Sequence, residues 1–317
     1  MTSDAKLTTT VPRVATYRRV KPGQAPQQTG ETLFRWLYLL PAVVLTVVFF
    51  ILPLVFIVFI SPMKWNGIGE MEFVGWTNFT RLAAEPSFIR ALTNTLVWIL
   101  VGLLVHIPLS LAVALALYKR PPLWRLFRTS FFIPSIISTT ALALLWYFVF
   151  NPEFGILNAL LRAIGLTELG DTAWLANVTT SLWASQVPYV IYVGFPMMIF
   201  LTQIASIPED YFEAARIDGA TNWQIDWFLT IPLIKPAILL NALFVTTHCL
   251  RMFEYPFIMT DGGPANTSTN LSLFIYKSMV LSYDYGRAMA ASGVAVVVGL
   301  IVVSIIFVLG RITPGNR

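Results

Sequence analysis

From Trp36 to Ile60 the chain runs without one charged side chain. A helical span needs about 20 predominantly apolar residues, so this stretch is long enough to cross a bilayer. Inside hydrocarbon the backbone must satisfy its own hydrogen bonds, which leaves helices or a closed barrel. A barrel reads instead as alternating segments of about 10 residues. Similar apolar runs recur, and we read six spans at about 35–61, 90–118, 129–150, 178–204, 233–258 and 288–310. The fold class is all-α membrane protein. Composition agrees: 56% of residues are hydrophobic and 12% charged, against about 25% charged in soluble domains. Pro41, Pro53, Pro108, Pro134, Pro188 and Pro196 fall in or near the spans, where prolines mark kinks because neighbouring groups re-satisfy the freed carbonyls.

Residues 1–34 read as a basic, disordered cytoplasmic tail, rich in Thr, Pro and Gln. Residues 35–317 form the membrane domain. The first apolar run is too long for a signal-peptide core, and no small-residue cleavage site follows it. The one cysteine, Cys249, excludes an intrachain disulfide and reads as a small buried hydrophobe. With two histidines, His106 and His248, and no partner at ligand spacing, no metal or catalytic cluster is expected. The net charge of +5 is no sign of nucleic acid, because basic residues in membrane proteins gather in cytoplasmic loops.

Those basic residues set the orientation. The tail, the loop "KRPPLWRLFR", Arg216, Lys235 and the C-terminus carry fourteen Lys and Arg; the opposite side carries six. Both termini are therefore expected in the cytoplasm. The outer loops carry aromatic, glycine and amide residues, and Trp65, Trp76, Trp174, Tyr283 and Tyr285 suit an interfacial belt. Asn78 and Asn177 open glycosylation sequons, three-residue matches that are given almost no weight.

Between spans four and five lies "SIPEDYFEAARIDGATNWQIDWFLTIP", a polar stretch at about 205–232. Ser206 with Glu209, and Thr221 with Gln224, have capping-box spacing. Gly219 suits the left-handed position that ends a helix. The stretch encodes two short helices meeting at a glycine bend. Tyr211, Ala214 and Ala215 share a face of the first; Trp223, Trp227 and Phe228 give the second large apolar surfaces. From periodicity, an amphipathic lid on the headgroups and a protein-docking element both remain open.

"EAA" at Glu213, Ala214 and Ala215, with Gly219 four residues on and Pro232 later, closely resembles the EAA loop of ABC importer permeases. "FEYPFIMTDGGPANTSTNLSLFIY", "YDYGRAMAASG", "FVGWTNFTRL" and "GILNALLRAIG" resemble segments of the MalF-like (UgpA-like) carbohydrate permeases, so the resemblance covers about residues 35–310. It implies a type I ABC importer permease fold. It also implies that Glu213, Ala214, Ala215, Asp218, Gly219 and Pro232 couple to a cytoplasmic ATPase. Ile231, Asp226, Trp227 and Phe228 depart from the family's pattern in the second helix. The implied partners are a second, MalG-like permease, an ABC ATPase dimer, an extracytoplasmic solute-binding protein and a sugar, with a bilayer around them and no nucleic acid. The chain contains no Gly-Lys pair, hence no phosphate-binding G-x-x-x-x-G-K-[ST] loop. It binds no cofactor of its own, and ATP with magnesium belongs to the partner ATPase.

Ionisable residues inside spans are costly and mark function by default. On a helical wheel of span five, Phe244, Thr247, His248, Arg251, Glu254 and Tyr255 share one arc of roughly 120°. Arg251 and Glu254 are spaced for an intrahelical ion pair, and His248 for a satisfied core position; a stripe along the translocation path is the alternative. Span four adds Gln186, Tyr189 and Tyr192, with Trp183 nearby. The expected function is a permease subunit of a bacterial inner-membrane ABC importer that moves a sugar or oligosaccharide. A glycerol 3-phosphate or polyol-phosphate permease, with Arg251 serving the anion, is the alternative within the class. An ion-coupled secondary transporter using Arg251 and Glu254 is the alternative outside it.

Overall fold

The computed structural model describes residues 29–312, with side chains described from Leu37 to Gly310. The expected tail lies outside the described residues as far as position 28. Helical backbone already begins at Thr29, beyond the last proline of the tail, Pro26. Contacts divide the chain into two compact units, Met1–Pro53 and Leu54–Arg317. In the first, every described side chain from Leu37 to Pro53 is exposed. The second unit carries the packed core.

Among the described residues four helices are long and apolar enough to cross a membrane: α1 (Leu37–Ile60), α3 (Pro86–Tyr118), α7 (Ser181–Ile204) and α12 (Tyr285–Gly310). Two bent pairs bring the number of candidate spans to six among the described residues. α4 (Trp124–Ile136) meets α5 (Thr139–Val149) at 103°, and α9 (Asn222–Leu233) meets α10 (Lys235–Leu250) at 69°. The shorter helices include α2 (Thr77–Ala84), α6 (Ile156–Ala163), α8 (Glu209–Ile217) and α11 (Leu271–Leu281). A two-residue hairpin pairs β1 (Met63–Lys64) with β2 (Glu72–Phe73) in antiparallel register.

Two expected spans are corrected. Span three is not one straight helix over 129–150: Pro134 lies in a tight 3-10 turn, and Ile137 is extended at φ −75°, ψ 140°. Span five is not one unbroken helix to 258: it breaks after Leu250, and helical backbone resumes at Glu254 and runs to Thr260. α10 stops at Leu250, and side chains take carbonyls at its end and in the break beyond it: Ser272 Oγ donates to Leu250 O at 2.9 Å and Asn270 Nδ2 to Met252 O at 2.5 Å. A helix end buried with such partners leaves no orphan acceptor.

The outer segments are tied to span ends. Asn78 Nδ2 donates to Ser61 O at 2.8 Å and Met63 O at 2.9 Å, so this sequon asparagine is a buried strut. Arg287 pairs with Glu85 and lies 4.7 Å from the Phe274 ring; Arg81 pairs with Asp284 at 3.1 Å. Trp65 packs on Tyr285 with ring centroids 5.2 Å apart, while Trp76 and Tyr283 are exposed. The "TDGGPANTSTN" loop is not solvated throughout: Thr267 to Asn270 are buried. Asn94 Nδ2, from α3, donates to Thr267 O and Thr269 O at 2.9 and 2.7 Å. Thr95 Oγ1 accepts from the Leu271 amide at 2.9 Å.

The core of the second unit forms where α3, α7 and α10 meet at Gly102. A methyl group there would stand 2.6 Å from Val245 Cγ1, 3.2 Å from Cys249 Sγ and 3.2 Å from Tyr189 Oη. Small residues of this kind let membrane helices approach closely, where packing rather than water exclusion holds them. Cys249 is fully buried, as expected, with Sγ 3.4 Å from Trp98 O and from Tyr189 Oη.

The polar stretch folds as the helical hairpin its spacing predicts, with one correction. Thr221 and Gln224 form the complete capping box that starts α9. Ser206 forms none: its hydroxyl donates to Gln203 O at 2.7 Å and accepts from Gln203 Nε2 at 3.1 Å. The competing local bond leaves Pro208 at the N-cap of α8 without a side-chain cap. α8 ends in a complete Schellman motif. The Ala220 amide bonds Ala215 O at 2.9 Å, the Gly219 amide bonds Arg216 O at 3.1 Å, and Gly219 has φ +80°.

Two substitutions test this packing. Gly102→Val, which forces a side chain into the helix crossing, should cost about 2 kcal/mol and lower the Tm of the detergent-purified protein; an unchanged Tm would show that the helices do not meet there. Gly219→Ala has open space around the new methyl but pays the left-handed backbone penalty of about 1 kcal/mol. Amide exchange at Ala220 should rise about fivefold, and Gly219→Asn should stay within about twofold of the parent. Equal exchange in all three proteins would contradict the bend.

Candidate functional site

Two features of the second unit have functional form: a cavity among the spans and the exposed side of the helical hairpin. The cavity has a volume of about 320 Å³, in the range of small-molecule sites. Tyr189 and Tyr192 reach it from α7, His106 from α3, and His248 with Phe244 from α10. Tyr255 closes it beyond the end of α10, and the broken α4–α5 pair supplies Pro134, Ser135 and Thr139.

The rings are ordered by stacking. Tyr189 lies between His106, at 4.5 Å and 18°, and His248, at 5.4 Å and 17°. Trp98 packs on Tyr189 at 5.7 Å and on Tyr255 at 6.5 Å. His106 Nδ1 lies 3.3 Å from Val190 O. Trp146 Nε1 donates to Tyr192 Oη at 2.6 Å, which sets the angle of that ring. The chemistry on offer is aromatic faces with imidazole and hydroxyl groups between them. Among the described residues no lysine, arginine or carboxylate lines the cavity. Among the described residues no group of three or more His, Cys, Asp and Glu is placed to hold a metal ion.

Of the expected path residues, Tyr189, Tyr192 and His248 come together here. Gln186 is buried at 2% exposure and does not line the cavity. Thr247 is exposed, its hydroxyl donating to Leu243 O at 2.8 Å. Arg251 caps the end of α10, Glu254 lies beyond it, and the two make no ion pair with each other. The helical wheel placed 244 to 255 on one arc, whereas the helix ends at Leu250. Past that point a periodicity of 3.6 no longer assigns faces. The sequence raises His106 only as a metal-ligand candidate, although an ionisable residue in an apolar span is itself a signal for the cavity it lines.

The hairpin is anchored on one side and bare on the other. Phe212 of α8 is buried and packs on Tyr118 at the end of α3, 5.7 Å between centroids. Ile225 and Thr230 of α9 are buried, and Asp226 pairs with Lys119 at 2.6 Å. The opposite side exposes Glu213, Ala214, Asp218, Gly219 and Pro232, with Ala215 half-buried. Ile217 and Phe228 are 86% and 79% exposed there, and Trp223 stands on Trp227 at 5.3 Å. Glu209 is held by Arg216 at 3.1 Å. Sequence spacing placed the signature residues; it did not find the anchors Phe212 and Asp226, whose partners are about a hundred positions away.

Residues 106–313 match the family of binding-protein-dependent transport system inner membrane components. The chain is 36% identical to "Probable ABC transporter permease protein YurN" of Bacillus subtilis over 84% of this chain and 91% of that one. It is 34% identical to the lactose transport system permease protein LacF of Rhizobium radiobacter over 76% and 81% of the two chains. It is also similar to a chain in the crystal structure of a bacterial alginate ABC transporter in complex with a periplasmic protein bound to alginate pentasaccharide. There the TM-score is 0.79 and the identity 26%, covering 92% of this chain and all of the other. The broken spans, the cavity among them and the capped hairpin are thus arranged on a type I ABC importer permease fold, and the chain belongs to the family of binding-protein-dependent transport system inner membrane components.

Proposed function

We propose that this chain is the permease subunit of an ATP-driven importer that carries a sugar or oligosaccharide, delivered by a solute-binding protein, into the cytoplasm. The observation that carries the reading is the hairpin: two short helices, locally capped, fixed to α3 by Phe212 and Asp226 and left bare around Glu213. A segment held so firmly on one side and presenting acid and apolar surface on the other is built to transmit force from a partner. The partner is a separate ATPase dimer, which uses ATP with magnesium. Glu213, Ala214, Ala215, Asp218, Gly219 and Pro232 form its docking surface. A second permease of similar fold completes the pathway, and both termini lie in the cytoplasm, on the side richer in Lys and Arg.

The substrate class rests on the cavity. Tyr189, Tyr192, His248 and His106 give ring faces and hydrogen-bonding edges without a fixed charge, a lining suited to a neutral, hydroxyl-rich ring. LacF is named for a neutral saccharide, in line with that chemistry. Arg251 stands outside the cavity, so it lends nothing to an anionic substrate. The separation of Arg251 from the cavity and from Glu254 likewise removes the support for an ion-coupled mechanism. Transport is a two-state equilibrium: nucleotide closes the ATPase, the hairpin follows, and access to the cavity changes sides because each ligand prefers one state.

Glu213→Lys, in the assembled importer, tests this. The variant should reach the membrane normally. Uptake of labelled neutral oligosaccharides, lactose included, should fall at least about tenfold, because a reversed charge in a buried interface costs about 2–5 kcal/mol. Normal uptake with normal co-purification of the ATPase would overturn the docking role.

A further inference from the structure

The loop "KRPPLWRLFR" is absorbed by neither the cavity nor the hairpin. It turns sharply: Arg120 and Leu123 both take left-handed backbone, φ 51° and 62°, on either side of Pro121 and Pro122. Non-glycine residues held there are strained, and such strain persists only where the surroundings impose it. The turn brings Arg120 and Arg128 to the rim of one cavity of about 180 Å³, with Tyr118 and Trp124 beside them and Leu201 and Thr202 of α7 behind.

The charge in this corner is one-sided. Arg120 and Arg125 lie over the Trp124 ring, 5.9 and 5.5 Å from its centroid. Among the described residues Arg120, Arg125 and Arg128 have no carboxylate partner. The neighbouring carboxylates are taken: Asp226 by Lys119 and Glu209 by Arg216. None of the residues Trp124–Phe132 is fully buried. Leu123, Leu126 and Phe127 are 68%, 59% and 47% exposed. Guanidinium groups interleaved with exposed Leu and Phe around a half-buried Trp124 at the end of a span are the makeup of an interfacial helix, with the apolar side chains in the acyl region and the cations at headgroup depth.

We propose that Arg120 and Arg128, with Tyr118 and Trp124, form a binding site for the headgroup of an anionic phospholipid of the inner leaflet. The phosphodiester accepts hydrogen bonds from the two guanidiniums, and the acyl chains lie along Leu126 and Phe127. Arginine suits this role because its planar donors match phosphate geometry. The site does not depend on what the chain carries. Its position has a consequence: Tyr118, on the rim, is the residue on which Phe212 of the hairpin packs, so an occupant touches the anchor of the coupling segment.

The test uses the assembled importer in nanodiscs with a photoactivatable phosphatidylglycerol, or the matching phosphatidylcholine, and locates the cross-links by peptide mass spectrometry. Phosphatidylglycerol should label residues 118–131 and 198–205 at least about fivefold more than phosphatidylcholine, given roughly 1 kcal/mol for each basic residue at an anionic surface. R128Q and R120Q/R128Q should lose that preference and R120K/R128K should keep most of it; K64Q, at a distant ion pair, should leave it unchanged. Labelling equal for the two lipids, or unaffected by R128Q, overturns the proposal. So does displacement by millimolar inorganic phosphate, which marks a free-anion site. Absence of lipid label from residues 118–131 in the assembled importer overturns it as well, since a protein partner then covers the corner.

Discussion

Everything placed in the second unit hangs on one crossing, where Tyr189 of α7 stacks between His106 of α3 and His248 of α10, at 4.5 and 5.4 Å. In hydrocarbon, burial of apolar surface does not drive helices together; packing, hydrogen bonds and close backbone approach do. Gly102 supplies the approach, with Val245, Cys249 and Tyr189 against its bare Cα. Loosening that contact would remove both the fixed level of the three spans and the wall of the cavity. The same rings that hold the helices together line the cavity, so in the proposed function stability and binding draw on the same side chains.

Around that crossing, the fold uses broken helices where a membrane protein ordinarily needs unbroken ones. Irregular backbone at membrane depth survives only where protein or a water-lined space satisfies it. α10 ends at Leu250, and Ser272 and Asn270 take the carbonyls of Leu250 and Met252. The α4–α5 bend at 103° puts Ser135 and Thr139 on the cavity rim. At the other end of the fold, the 69° bend between α9 and α10 separates the hairpin from its span. Breaks therefore fall beside the cavity and at the root of the hairpin, the two places to which the proposed function assigns contact with a solute and a partner.

What the sequence made legible follows from the range of each force. The spans were readable because an apolar run of sufficient length has one stable solution in lipid. The hairpin was readable because capping is local: Thr221 with Gln224 and the left-handed Gly219 act across a few residues, and both formed as expected. Ser206 with Glu209 had the same spacing and failed, because Gln203 offered Ser206 a nearer partner. The candidate site was only half legible. Tyr189, Tyr192 and His248 reach the cavity, while Gln186, Thr247, Arg251 and Glu254 do not. The wheel assumed that α10 continued beyond Leu250, and the side-chain bonds made at the break come from residues about 20 positions later. His106 and Phe212 act through partners on distant spans, which no local pattern encodes.

The central claim is mechanical: this chain forms half of a pathway whose switching is driven through the hairpin by a motor it does not contain. Its most direct test is solute uptake into proteoliposomes holding this chain alone, compared with liposomes holding it together with its second permease and ATPase, with binding protein outside and ATP inside. The account predicts no uptake by the chain alone, even under an imposed ion gradient, and ATP-dependent uptake by the full set. Solute accumulation by the chain alone in response to the gradient would contradict it.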